Sequence, residues 1–270
     1  MGSNEKSCIT SSGVDLAQEG RYLVQWAAQK GIPLRLTGGV AIWMRASDEA
    51  RVALSRQYPD LDLVAHSKHS LILQKLLTNH GYEPERRFNA LHGNIRLFFH
   101  AADNSYHLDI FLDQFQMSHK LDLGRRLEVE ELTIPTAELL LTKLQIAELN
   151  QKDASDTAML LFDHELANDD GPGKLNTTYV AEPCAKDWGL FTTVSDNLGK
   201  SRELLPELLS DDYRRNLVAT RIDELRCYLE TSPKTLRWKL RAKIGRRMSW
   251  HERVEEFEHL PKDITAPLGS

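Results

Sequence analysis

The chain has 270 residues, 41% of them hydrophobic and 27% charged, which fits a folded globular protein and excludes a wholly disordered or fibrous one. A formal net charge of -5 argues against uniform coating of a nucleic acid, although a local basic patch can still bind one. The three cysteines, Cys8, Cys184 and Cys227, are scattered, with no CxxC and no histidine at zinc-finger spacing, so free thiols in a reducing, cytoplasmic compartment are expected.

The first residues, MGSNEKSCITSSG, lack the apolar stretch of a signal peptide, and residues 1–14 are expected to form a disordered tail. Over residues 15–30, Leu16, Tyr22, Leu23, Trp26 and Ala27 share one helical stripe, and Gly31, Ile32 and Pro33 end it. Residues 34–36 predict a short strand that runs into Thr37, Gly38 and Gly39, followed by a helix over 40–45. A second strand is predicted over 61–64 and a helix over 69–80, carrying Leu71, Leu73, Leu76 and Leu77. Residues 95–99 and 107–112 predict two strands around a hairpin turn at 101–105. That order gives a small mixed β-sheet flanked by helices, an α/β (α+β) arrangement.

From Thr136 the pattern turns helical, with a long amphipathic helix predicted over 136–149 and another over 153–166. The most apolar run, 139–149, contains Thr142, Lys143 and Glu148, so no membrane span and no membrane partner are expected. Residues 168–176, rich in Asp and Gly, predict a linker or mobile loop, and the sequon Asn176, Thr177, Thr178 is expected as a loop triplet. Helices are then predicted over 185–209, 212–229 and 234–258, punctuated by Pro206 and Pro233. The expected organisation is a core over 15–166, a mainly α-helical C-terminal unit over 167–260 and a flexible tail over 261–270.

Three separated features carry chemistry. Asp60 and Asp62 lie two residues apart, so on a strand both project from one face while Leu61 faces the core, a pairing able to grip a metal. Asp109 lies between Leu108 and Ile110, where a buried charge is costly without a partner such as a cation. Gly38 and Gly39, between strand and helix, let backbone N–H groups approach phosphate oxygens at a helix N-terminus, and Thr37 adds a hydroxyl. Asp113, four residues past Asp109, competes as third ligand if the strand register slips, and Arg56 is placed either to touch a phosphate or simply on the surface.

The segments LTGGVA at 36–41, YPDLDL at 58–63 and LDIF at 108–111 together resemble the core signature of the nucleotidyltransferase (polymerase beta-like) superfamily. The nearest resemblance is to AbiEii-type toxin nucleotidyltransferases and related stand-alone bacterial proteins, which carry a lysine helix and then a Lys-Asp-x-x-Asp element. Here these are LLTKL at 140–144 and KDASD at 152–156, and the match covers about residues 34–166. The resemblance implies an enzyme binding Mg²⁺ or Mn²⁺ through Asp60, Asp62 and Asp109, with Gly38 and Gly39 around the phosphates of a nucleoside triphosphate. It also implies that Lys143 reaches the triphosphate while Lys152, Asp153 and Asp156 shape the nucleotide pocket. Many members have Ser after the glycine pair where this chain has Val40, which leaves Thr37 as the local hydroxyl.

Near the C-terminus, Lys234, Arg237, Lys239, Arg241, Lys243, Arg246 and Arg247 run without an acidic residue among them, flanked by Trp238 and Trp250. The run suits an RNA backbone and exposed bases; equally it suits an amphipathic helix with Leu236, Leu240 and Ile244 inward and its charges solvated or paired with Asp211, Asp212, Glu255 or Glu256. The resemblance to toxin-type transferases allows a tRNA 3′ end as acceptor and a cognate antitoxin as partner. A small hydroxylated compound as acceptor, or a catalytically silent nucleotide- or partner-binding module, are the alternatives.

Overall fold

The computed structural model describes residues 13–252. Strands β1 (Leu34–Thr37), β2 (Asp60–Ala65), β3 (Glu83–Pro84), β4 (Arg96–His100) and β5 (His107–Leu112) form a five-stranded sheet in the order β1-β2-β5-β4-β3. β2 and β5 are parallel and the other neighbours antiparallel, so the small mixed sheet predicted from the element order is present. Alternation along the strands gives the sheet two unlike faces. Leu34, Leu36, Leu61, Leu63, Leu97, Phe99, Leu108 and Ile110 line one and are completely buried, each contributing roughly 1.5–3 kcal/mol of apolar burial. Helix α1 (Gly13–Ala28) lies on this face, and a Cβ on its Gly20 would meet Leu36 at 2.7 Å. The opposite face carries Thr37, Asp60, Asp62, Arg96, His107 and Asp109.

Helices α2 (Gly38–Arg45) and α3 (Asp48–Ala53) connect β1 to β2. A parallel β2–β5 pair needs a long crossover, and α4 (Ser70–Asn79), β3, α5 (Arg86–His92) and β4 supply it. The helix predicted over 69–80 begins instead as a 3-10 turn, Ser67–His69, before α4. Leu73 and Leu77, one turn apart, are buried, whereas Leu71 falls on the opposite side and is 83% exposed. The 101–105 turn closes the β4–β5 hairpin with Asn104 in the left-handed region at φ 55°. A small hairpin, β6 (Gln114–Gln116) with β7 (Lys120–Asp122), follows without a clear sequence signal.

The single helix predicted over 136–149 is shorter, α6 (Thr136–Leu144), and α7 (Gln151–Asp163) follows it. Asn197 donates to the carbonyls of Leu144 at 2.9 Å and Ile146 at 2.5 Å, Gln145 accepts from the His119 amide at 2.8 Å, and Asn150 caps α7 through the Asp153 amide at 2.9 Å. The Asn197 and Asn150 bonds satisfy the broken backbone, and Gln145 ties the break to the loop at His119, which periodicity alone cannot reveal. The segment predicted as a linker is tied down, because β8 (Glu165–Ala167) pairs in parallel with β9 (Lys174–Asn176). Asn176 caps α8 (Thr177–Lys186) by accepting from the Tyr179 amide at 3.0 Å, so the sequon residue is a helix cap and not part of a loop triplet.

The predicted 185–209 helix is divided at Asp187, which ends α8 and caps α9 (Trp188–Leu208) through the Leu190 amide at 3.0 Å. Val218, Ile222, Leu225 and Leu229 of α10 (Asp212–Thr231) form a buried stripe at helical spacing, and α10 packs on α7, α8 and α9. The last described helix is α11 (Leu236–Ile244), followed by a 3-10 turn, Gly245–Arg247, and not the longer helix predicted to 258. Gly245, in the left-handed region at φ 61°, ends it. Residues 253–258 of that predicted helix, with Glu255 and Glu256, residues 1–12 of the predicted N-terminal tail, the predicted C-terminal tail and Cys8 lie outside the described residues, whereas Gly13 and Val14, predicted in the tail, open α1. Cys184 is buried, Cys227 exposed, and both are free thiols. Among the described residues no helix is long and apolar enough to cross a membrane.

Candidate functional site

At the mouth of the polar face, β1 ends in Thr37 and α2 begins directly at Gly38. Gly38 takes the left-handed conformation, φ +67°, and a Cβ there would lie 1.9 Å from Asp62 Oδ2. A Cβ on Gly39 would lie 2.0 Å from Arg56 Nη2. The glycine pair therefore lets two charged side chains rest directly against backbone. Strand register assembles the acids: Thr37 pairs with Asp62, Asp62 with Asp109, and Asp60 with His107. Residues paired this way share a face, so Asp60, Asp62 and Asp109 lie on the polar face, with Asp62 against Gly38.

Asp62 is half-buried, and burial pushes its carboxyl up to about 7, reinforced by Asp109 and Asp60 and opposed by Lys143 and Arg96. Asp109 is buried, with both oxygens held by one guanidinium: Arg96 Nε donates at 2.7 Å to Oδ1, and Nη2 donates to Oδ2. Burial opposes the charge on Arg96, but Asp109 outweighs it and holds the pKa above its ordinary value. Among the described residues, no three His, Cys, Asp or Glu side chains converge, as they stand, at metal-binding spacing. The chemistry of the donors nonetheless fits a hard divalent cation. They are carboxylate oxygens, and their crowding is what a cation relieves. Arg96 already supplies part of that compensating charge.

A second network stands beside the first. Lys143 Nζ lies 2.9 Å from Asp156 and 3.2 Å from Asp153. Arg56 forks onto Asp156 with bonds of 2.8 and 2.7 Å, its guanidinium 4.1 Å from the centre of the Tyr58 ring. Burial would raise the pKa of Asp156, but Lys143 and Arg56 overcome it and hold the pKa low. Burial likewise works against the Lys143 charge, and Asp156 and Asp153 reverse it, so the ammonium is firmly protonated. Lys143, Asp153 and Asp156 thus converge, while Lys152 is exposed at the start of α7. Thr37 Oγ1, the Tyr58 hydroxyl and Asp153 Oδ2 are buried without a hydrogen-bond partner. Orphans of this kind cost about 1–3 kcal/mol each, and a polar ligand relieves them.

Asp113 does not continue the β5 alternation. At φ 59° it leaves the strand and accepts from the Ser67 amide at 3.1 Å and lies 2.9 Å from His66 Nδ1. It closes the turn before α4 and so does not share the strand face of Asp109.

No family model and no curated protein matches the chain. Among solved structures it is similar to the lincosamide antibiotic adenylyltransferase LnuA in its lincomycin-bound form, at 14% identity and a TM-score of 0.37, over 53% of this chain and 94% of that one. It is also similar to an antigenic nucleotidyltransferase-like protein from Paracoccidioides brasiliensis, at 16% identity and a TM-score of 0.40, over 83% and 96% of the two chains. Likenesses this distant assign no family.

The basic run divides by environment. Arg241 donates to the carbonyls of Gly245 at 2.7 Å and Met248 at 3.0 Å and lies over Trp188, while Arg246 pairs with Asp196 at 2.8 Å. Arg237, Lys239, Lys243 and Arg247 are exposed. Trp238 meets Phe191 with ring centres 5.3 Å apart, and Trp250 meets Trp188 at 6.2 Å, so both aromatics pack on the protein's own rings. The amphipathic alternative had Leu236, Leu240 and Ile244 inward, but they are 73%, 55% and 42% exposed. Trp238 is the residue that anchors the helix to α9, so the helix is turned the other way.

Sequence reasoning did not single out Arg96 or Tyr58. Arg96 alternates with buried Leu97 and so reads as facing the polar side, but its diagonal approach to Asp109 depends on the β4–β5 register.

Proposed function

We propose that this chain is a metal-dependent nucleotidyltransferase that moves a nucleoside monophosphate from a nucleoside triphosphate to an acceptor hydroxyl. The observation that carries the proposal is the register pair Asp62–Asp109 set against Gly38. Asp60, Asp62 and Asp109 would hold Mg²⁺ or Mn²⁺, which when bound supplies positive charge opposite the transferring phosphate and the departing pyrophosphate. The Gly38 and Gly39 amides, at the start of α2, bind phosphate oxygens, and the unpartnered Thr37 hydroxyl adds a donor. Lys143, clamped by Asp153 and Asp156, presents a fixed ammonium to the triphosphate. The acceptor oxygen attacks the α-phosphorus in line as the bond to the β-phosphate oxygen breaks, and the acceptor proton passes to Asp62 or Asp109.

The acceptor we propose is RNA, with a tRNA 3′ end as a form the resemblance allows. Support comes from the outward cations Arg237, Lys239, Lys243 and Arg247 on and just beyond α11. A cytoplasmic location and a cognate antitoxin belong to the same proposal and rest on the resemblance alone.

The test is incubation with each labelled nucleoside triphosphate, Mg²⁺, and total RNA or cell extract, beside Asp62→Ala. Label moving to RNA only with the intact chain supports the full proposal. Label on a small molecule keeps the chemistry and replaces the acceptor. No transfer dependent on Asp62 with any acceptor refutes the enzyme.

A further inference from the structure

We infer that Arg96 is an exchangeable counter-cation of the carboxylate site, holding Asp109 in the metal-free protein and releasing it when a divalent ion arrives. This rests on the reading of Asp60, Asp62 and Asp109 as metal-binding groups. The starting point is the geometry of the fork: one guanidinium takes both oxygens of the buried Asp109, and Asp109 faces Asp62 across the parallel β2–β5 pair. Arg96 takes one lone pair on each Asp109 oxygen and sets a full positive charge against the carboxylate, which repels a divalent ion shared by those two acids. A guanidinium cannot deprotonate to stand aside as a neutral group, and it has no lone pair to offer a metal. It has to move.

Two further features make that movement feasible. The Arg96 side chain retains 22% exposure while that of Asp109 retains 9%, so the arginine is the partner with a path toward solvent. Its guanidinium also lies over the Phe111 and Phe88 rings, 4.8 and 5.8 Å from their centres, a flat surface along which it can slide while remaining cationic. Lys143 does not substitute for it, because Lys143 is already shared between Asp153 and Asp156 on α7. Once released, the planar fork matches a pair of phosphate oxygens as well as it matches a carboxylate. The metal and the triphosphate would therefore bind in a coupled way, with Arg96 passing from Asp109 to a phosphate.

Mn²⁺ binding to the full chain, read by the loss of the free-ion electron paramagnetic resonance signal, tests this without any activity assay. The proteins are the unaltered chain, Arg96→Gln, Arg96→Lys and Asp62→Asn, each checked for folding by thermal melting. Removing the competing charge is expected to tighten Mn²⁺ about tenfold in Arg96→Gln, with Arg96→Lys in between because a point charge cannot hold both oxygens. Should Arg96→Gln fail to fold, tighter binding by Arg96→Lys than by the unaltered chain decides in favour. Mn²⁺ binding that is equal or weaker in the Arg96 variants, yet lost in Asp62→Asn, overturns the exchange and leaves the metal site standing. No Mn²⁺ bound by any of the four overturns both.

Discussion

Gly38 occupies a position that a side chain cannot share with Asp62 as it now lies. A Cβ would sit 1.9 Å from Oδ2, and the residue would also have to hold φ +67°. Gly38→Ala is expected to cost about 1–3 kcal/mol from the backbone conformation alone, measured by urea denaturation, and to displace the Asp62 carboxylate. An unchanged midpoint would show that the turn relaxes freely. Asp62 itself gives a pH signature. Its folded value is pushed up to about 7 from an ordinary 3.8, so between these values the folded state holds a proton that the unfolded chain has lost. The associated stability is present below the unfolded value and is lost as pH rises through the folded one. With chelator present, Asp62→Asn should therefore become progressively more stable relative to the unaltered chain as pH rises from about 4 to about 8. A constant difference in melting temperature across that range would contradict the burial of this carboxyl and the crowding of acids around it. The glycine pair and the acids are legible in the sequence as residue types at strand ends. The contacts with Asp62 and Arg56 that make glycine necessary are not, because they join residues whose positions only the fold determines.

Between elements, the α6–α7 clamp is where the largest loss of stability is expected. Lys143→Met leaves Asp153 and Asp156 buried with only Arg56 as a cation, and removing one partner of such a group costs about 3–5 kcal/mol. A chemical denaturation midpoint unchanged by this substitution would remove the clamp from the account. The helical character of both segments is readable from periodicity, as is the strand character of β1, β2, β4 and β5. Where α6 stops is not, because the stop is set by Asn197 in α9 and by the side chain of Gln145, which meets the backbone of a loop 26 residues earlier. Helix α11 teaches the same lesson in reverse. Its apolar spacing at Leu236, Leu240 and Ile244 predicts a buried stripe, yet Trp238 against Phe191 and the cation–π contact of Arg241 with Trp188 fix the opposite side to the protein. Two contacts to aromatic rings outweigh three aliphatic residues here, since large rings carry more contact area per side chain.

At the scale of the whole molecule, one sheet with unlike faces does two jobs. Its leucine-rich face buries the core against α1, and its polar face brings residues from chain positions 37 to 109 to one place through strand register alone. Two patterns in the sequence, an acid alternating with leucine on β2 and another on β5, define the face. The parallel pairing that sets Asp62 against Asp109 is a property of the long crossover and has no local signature. The most direct measurement is a crystal structure of the chain with Mn²⁺ and a non-hydrolysable nucleoside triphosphate, with the ion located by its anomalous scattering. The expected result is an anomalous peak between Asp62 and Asp109, phosphates at the Gly38 and Gly39 amides and near Lys143, and Arg96 turned away from Asp109. A bound nucleotide elsewhere on the surface, with Arg96 still forked onto Asp109 and no peak at the acids, would contradict it.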